Sequence, residues 1–301
     1  MASPLSASHR LVVMELPLAA TVLVGCLLAC GAEAAPRATA RDGAADSSRS
    51  APFAAGDTVD VITRDFAFEM PDTIPAGVTT FRLRNEGKEP HHLMLYRIDA
   101  GKTIRDVLAA LAAGGAHPTW MHATGGPNAV PNGGESIATL ALEPGNYVAF
   151  CHVKGPDGKI HFMKGMLKAV TVTPSAEKSV AFADADITVT LRDYGFEFSK
   201  PPTRGKHLIA VTNAGVQRHE MILSLLQPGK TSRDFVTWID TQNGPPPVIP
   251  YGGITDIEPG RTVIIPVDLE PGNYSVVCRV RDAGDDAPHD KHGMLAQFTV
   301  R

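Results

Sequence analysis

The chain has 301 residues, with 28 Lys and Arg against 32 Asp and Glu and a formal net charge of -4. That balance lacks the concentrated basic surface a nucleic-acid protein needs, and a hydrophobic fraction of 44% excludes wholesale disorder. Apart from one apolar run near the N-terminus, nothing in the chain is suited to a bilayer, which excludes a multi-spanning protein.

The first predicted element is an export segment over residues 1–30. His9 and Arg10 form a short basic start, and the apolar run that follows is broken only by Glu15 and Pro17. This pattern is similar to a bacterial export signal. Leu27-Leu28-Ala29-Cys30 before Gly31 resembles a lipoprotein processing site, with Cys30 as the acylated residue. Leu23-Val24-Gly25-Cys26 also fits, but cleavage there leaves Leu27 and Leu28 on the mature chain. Cleavage after Ala32-Glu33-Ala34 is the alternative without a lipid. Residues 31–56 are mostly small, polar or charged. Such a segment cannot bury enough apolar area to order itself and reads as a disordered tether.

The remainder repeats. Asp65-Phe66-Ala67-Phe68-Glu69 recurs as Asp193-Tyr194-Gly195-Phe196-Glu197, Gly101-Lys102-Thr103 as Gly229-Lys230-Thr231, and Leu142-Glu143-Pro144-Gly145-Asn146-Tyr147 as Leu269-Glu270-Pro271-Gly272-Asn273-Tyr274. Trp120 pairs with Trp238 and Gly133-Gly134 with Gly252-Gly253. Copies of about 120 residues are domains rather than solenoid units. The predicted domains are 57–174 and 179–301, joined by a short polar stretch.

Within each copy the apolar pattern has mostly period two. Tyr147, Ala149, Cys151 and Val153 share one strand face, and Val148, Phe150 and His152 share the other. Pro-Gly and Gly-Gly pairs punctuate these runs, which predicts an antiparallel sandwich. One helix interrupts each copy. Ile104, Val107, Leu108 and Leu111 have helical spacing, with Thr103 as N-cap and Gly114 as stop. Phe235, Trp238 and Ile239 repeat it after Thr231 or Ser232.

Cysteine usage carries the functional argument. Two of the four Cys lie in the export segment; the other two, Cys151 and Cys278, occupy equivalent repeat positions. An exported protein favours disulfides, yet each domain has a single thiol. It is either inert core packing, one half of an inter-domain disulfide or a metal ligand. Cys151 is followed by His161 and Met166, and Cys278 by His289 and Met294. Upstream, His92 and His219 stand 127 residues apart, each two residues before a Met. A thiolate, two imidazoles and a weak axial thioether form a soft, trigonal site suited to copper.

On these residues each repeat resembles a cupredoxin, the blue (type 1) copper fold. The resemblance covers nearly all of 57–174 and 179–301. It implies an all-β fold of two tandem Greek-key β-sandwich domains, each with one short helix and one copper. The implied ligands are His92, Cys151, His161 and Met166 in the first domain, and His219, Cys278, His289 and Met294 in the second. The Cys-to-His spacing is longer than in small plastocyanin-like proteins and closer to the nitrite reductase loop.

The neighbouring residues are weighed against this set. His91 has no counterpart where Arg218 stands and reads as a surface histidine. His292 competes with His289, though the repeat favours His289. His152 reads as an exposed strand histidine near the electron path, and Met94, Met121, Met163 and Met221 as core fillers. His117 and His122 receive no role. A binuclear purple-type centre needs two Cys in one loop and is excluded. The expected function is one-electron transfer in the cell envelope, with redox proteins as partners, no nucleic acid, and membrane contact through a lipid anchor alone. The rivals are a multicopper oxidase or nitrite reductase-like enzyme, a copper-handling or storage protein, and an interaction module without metal.

Overall fold

The computed structural model describes residues 57–115, 117–176 and 181–301. The export segment, Cys30 and the tether over 31–56 lie outside the described residues. The first repeat forms β1 (Asp57–Arg64), β2 (Ala67–Glu69), β3 (Thr73–Pro75), β4 (Gly77–Asn85), β5 (Met94–Ile98), β6 (Met121–Gly125), β7 (Glu135–Leu142), β8 (Gly145–Phe150) and β9 (Leu167–Thr173). The second forms β10 (Ile187–Arg192), β11 (Gly195–Phe198), β12 (Gly205–Asn213), β13 (His219–Leu226), β14 (Val248–Ile257), β15 (Thr262–Leu269), β16 (Gly272–Val277) and β17 (Leu295–Val300). The period-two reading holds clearly in β10, where Ile187, Val189 and Leu191 are buried and the intervening residues are not.

The all-β, two-layer expectation is met. One sheet has eight strands in the order β11-β10-β12-β15-β7-β4-β1-β2, and the other nine in the order β17-β16-β13-β14-β6-β5-β8-β9-β3. The pairing is mixed rather than purely antiparallel, because β1–β4, β3–β9 and β10–β12 run parallel. Both sheets cross the repeat boundary. β15 pairs with β7 at Ile264 and Thr139, and β14 with β6 at Ile257 and Thr124. Edge strands left open would expose unpaired backbone groups, and joining the copies edge to edge covers them. One apolar core runs from Val61, Phe81 and Leu140 of the first repeat to Val189, Val211 and Ile265 of the second. The polar join near residue 176 therefore marks a boundary along the chain, while sheets and core continue through it.

The helices are α1 (Ile104–Ala113) and α2 (Ser232–Thr241). Thr103 and Asp106 form a reciprocal capping box on α1, and Thr231 and Asp234 form the same box on α2, so Thr231 rather than Ser232 is the cap. Val107 and Leu111 cover Tyr96 and Phe150, while Phe235 and Val236 cover Leu226 and Val277. Leu108 is 38% exposed and stands outside the apolar stripe expected of it. The repeated Leu-Glu-Pro-Gly-Asn-Tyr segment has a local explanation. The Tyr147 ring is buried and its hydroxyl donates back to the Glu143 carbonyl at 2.9 Å; Tyr274 does the same to Glu270 at 3.0 Å. A buried phenol needs such a partner.

Candidate metal centres

Each centre is built where β8 or β16 runs out into a loop and returns. The alternation of β8 carries Tyr147 and Ala149 inward, and Cys151 follows on the same face, fully buried. The loop is closed by backbone bonds from Cys151 N to Met166 O (3.1 Å), Phe162 N to Cys151 O (2.9 Å) and His161 N to Val153 O (2.9 Å). A short 3-10 turn, His161–Lys164, ends at Gly165, whose φ of 102° is open to glycine and strained for other residues. The second loop repeats this with Cys278 N to Met294 O (3.1 Å), His289 N to Val280 O (2.9 Å), the turn His289–His292 and Gly293 at φ 101°.

Three donors converge in each loop. In the first, the Nδ1 atoms of His91 and His161 lie 3.0 Å apart, with Cys151 Sγ at 3.9 and 3.5 Å from them. In the second, His219 and His289 Nδ1 lie 3.0 Å apart, with Cys278 Sγ at 3.9 and 3.5 Å. All six residues are fully buried. Met166 and Met294 are fully buried in the same core.

The structure brings His91, and not the expected His92, into the first cluster. The register between repeats is 128 at this point, as for Asp65 and Asp193 or Gly87 and Gly215, and it pairs His91 with His219 and His92 with Glu220. Neighbouring residues on extended chain point to opposite faces, so a slip of one residue exchanges an inward donor for an outward one. His92 turns away and its Nε2 accepts from His152 N at 2.7 Å. Glu220 does the equivalent, accepting from Arg279 N at 3.0 Å. His91 is wholly buried rather than at the surface.

Carboxylates outside the expected ligand set fix three of the four rings. His91 Nε2 meets Asp65 Oδ1 at 2.8 Å, His219 Nε2 meets Asp193 Oδ1 at 2.6 Å, and His161 Nε2 meets Glu89 Oε2 at 2.9 Å. The signal for the two aspartates was available, since both open the repeated Asp-(Phe/Tyr)-x-Phe-Glu motif. An imidazole that donates Nε2–H to a carboxylate presents a bare lone pair at Nδ1. Two such lone pairs at 3.0 Å repel unless a cation lies between them. The donor chemistry therefore fits a soft cation taken from one thiolate and two imidazoles. Burial pushes the Cys151 thiol up to about 12 and the Cys278 thiol well above its ordinary range. Burial also lowers His91, His161 and His219, and brings His289 down to about 4. A bound cation must displace the thiol proton.

The remaining candidates fall elsewhere. Cys151 and Cys278 are free thiols, so the inter-domain disulfide is not formed. Met94, Met121 and Met221 are core residues as expected, whereas Met163 is 58% exposed on the first ligand loop. His152 is exposed, as expected, and tilts over the Phe162 ring. His292 lies outside the second donor cluster; its ring is tilted against Tyr194 and it meets Asp285 at 3.2 Å. His122 pairs with Asp99 at 2.9 Å. His117, given no role by the sequence, belongs to a polar cluster between the repeats. Arg218 Nη1 reaches Tyr96 Oη (2.6 Å), Asp256 Oδ2 (2.8 Å) and His117 Nδ1 (2.8 Å), and the Tyr96 hydroxyl donates to Asp256. Beside it, Asn128 Nδ2 donates to Ile254 O at 2.8 Å and reaches Glu220 Oε2 at 3.5 Å. Among the described residues no helix is long and apolar enough to cross a membrane.

No family model and no curated sequence matches the chain. Among solved structures it is similar to dithionite-reduced auracyanin from Roseiflexus castenholzii, at 24% identity and TM-score 0.28 over 40% of this chain and 100% of that one. It is also similar to a copper-containing nitrite reductase from Thermus scotoductus, at 13% identity and TM-score 0.22 over 81% of this chain and 61% of that one. A third likeness is to the blue copper oxidase from Nitrosomonas europaea, at 14% identity and TM-score 0.24 over 82% of this chain and 86% of that one.

Proposed function

We propose that the chain is a copper protein with two blue-type centres, one in each cupredoxin-like repeat, and that it carries single electrons in the cell envelope. The observation that carries this reading is the pair of buried His–Cys–His clusters, each with two Nδ1 atoms 3.0 Å apart. The ligands are His91, Cys151 and His161 with Met166, and His219, Cys278 and His289 with Met294. Bound copper supplies a one-electron couple. The protein supplies the rest. Asp65, Asp193 and Glu89 hold His91, His219 and His161 in one tautomer, and the two-sheet core keeps water from the thiolates. A cage held this firmly reorganises little when charge changes, which favours rapid electron exchange. Export with a lipid on Cys30 accords with an extracytoplasmic carrier whose partners are one-electron donor and acceptor proteins.

The test is reconstitution of the full chain with copper(II), with visible and paramagnetic resonance spectra and metal counted per chain. Two strongly blue coppers are expected. A colourless protein without bound copper overturns the reading, and a further non-blue copper redirects it to an oxidase or reductase.

A further inference from the structure

The two centres are alike in their donors and differ behind one of them. Both upstream imidazoles rest on an aspartate, Asp65 at 2.8 Å and Asp193 at 2.6 Å. The loop imidazoles do not match. His161 Nε2 meets Glu89 Oε2 at 2.9 Å. His289 Nε2 is buried and has no hydrogen-bond partner among the described residues; Asp282 Oδ2 stands 3.9 Å away.

The exchange of Glu89 for Gln217 stands behind this, and Asp282 and Tyr194, the latter in place of Phe66, go with it. At the register of 128, Glu89 corresponds to Gln217. Gln217 has turned toward the loop, where its Nε2 donates to Asp282 Oδ2 at 2.7 Å and to the Tyr194 hydroxyl at 3.2 Å, and its Oε1 accepts from Ala283 N at 2.7 Å. Asp282 is itself engaged, taking the Tyr194 hydroxyl at 2.5 Å on Oδ2 and the Gly284 and Asp285 N–H groups on Oδ1. In the first repeat Glu89 faces one cation, Lys164, at 3.9 Å on Oε1, while Oε2 is left to the imidazole; Lys164 sits closer to Asp157, at 2.9 Å.

A carboxylate on the far nitrogen of a ligating imidazole raises its basicity. The more basic ligand favours the more highly charged oxidation state of the metal. We propose that Glu89 and Gln217 set the two centres at different potentials, the first lower. This rests on the copper reading above. Glu89 is a positioning residue, since it acts through His161.

The experiment uses full-length Cys278→Ser, which keeps the first blue centre, and Cys151→Ser, which keeps the second. Copper(II) and cobalt(II) affinities and the midpoint potential of each blue band are measured. The first centre is expected to hold either divalent ion about 10–100-fold more tightly. If copper(I) affinity is equal in both, that is a potential lower by about 60–120 mV for the one-electron couple. Glu89→Gln should remove most of the difference, and Gln217→Glu should lower the second centre. Failure of both variants to bind copper overturns the copper reading and this inference with it. Binding with equal or reversed potentials, or with affinities and potentials that ignore Glu89→Gln, overturns the inference alone.

Discussion

Gly87 lies against His91 so closely that a methyl group on it would stand 2.6 Å from Nε2 of the ring and 2.5 Å from the Asp65 carboxylate that holds the ring. Gly215 has the same relation to His219 and Asp193, at 2.6 and 2.5 Å. Neither glycine is needed for an unusual backbone angle; each leaves room for a carboxylate to reach a ligand from behind. Gly87→Ala should therefore loosen the first centre and leave the second, lowering metal affinity there about 10–100-fold with the sheets intact. Metal titration alongside far-ultraviolet circular dichroism reads both quantities.

The identity of the upstream donor separates two adjacent histidines. His91→Ala should abolish the blue band of the first centre. His92→Ala should retain it, because His92 accepts from the His152 backbone instead of facing Cys151. Visible spectra of the two variants decide this, and loss of the band in His92→Ala alone would reverse the assignment. Cys151→Ser and Cys278→Ser should each remove one band of two.

Between the repeats, Arg218 is paired with the buried Asp256 at 2.8 Å. Removing one member of a buried pair strands the other, at a cost of about 3–5 kcal/mol. Arg218→Met should show that loss in denaturant unfolding of the metal-free protein, while Tyr96→Phe, which keeps the ring against Phe150, should cost about 1–3 kcal/mol. A near-neutral Arg218→Met would show that the repeats are held by the sheets and core without this cluster.

The metal-free protein should be most stable near neutral pH. Burial lowers His92 to about 3, and His117 and His289 to about 4. The unfolded chain, with His near about 6.5, binds more protons than the folded one below that value. Stability is thus present above about 6.5 and lost as pH falls through that window. Glu220 acts in the opposite sense. Burial raises it to about 8, so its contribution is full at low pH and is lost as pH rises from the ordinary carboxylate range through about 8. Thermal unfolding from pH 4 to 9 should give a single maximum, and Glu220→Gln should flatten its alkaline side.

Much of this protein was legible before any fold was known. Repetition of Cys, His and Met at matched places identifies a soft donor set twice over, because chance seldom preserves four such residue types in order. Period-two runs with Pro-Gly breaks identify strands, and Thr103 and Thr231 identify helix starts, since both signals are local. What was not legible depends on distance in space. The choice between His91 and His92 turns on which face of an extended segment looks inward, and a one-residue error in register inverts it.

The sequence by itself determined the residue types at the two centres, the repeat and the sandwich class, because each follows from spacing along the chain. Tertiary structure decided the rest. It joined the copies through β7–β15 and β6–β14, covering one edge of each sheet in each copy. It brought Asp65, Glu89 and Asp193 behind the imidazoles, and it left His289 without such a partner. These contacts join residues tens of positions apart, and hydrogen bonds of 2.6 to 2.9 Å exist only once the sheets have set both ends.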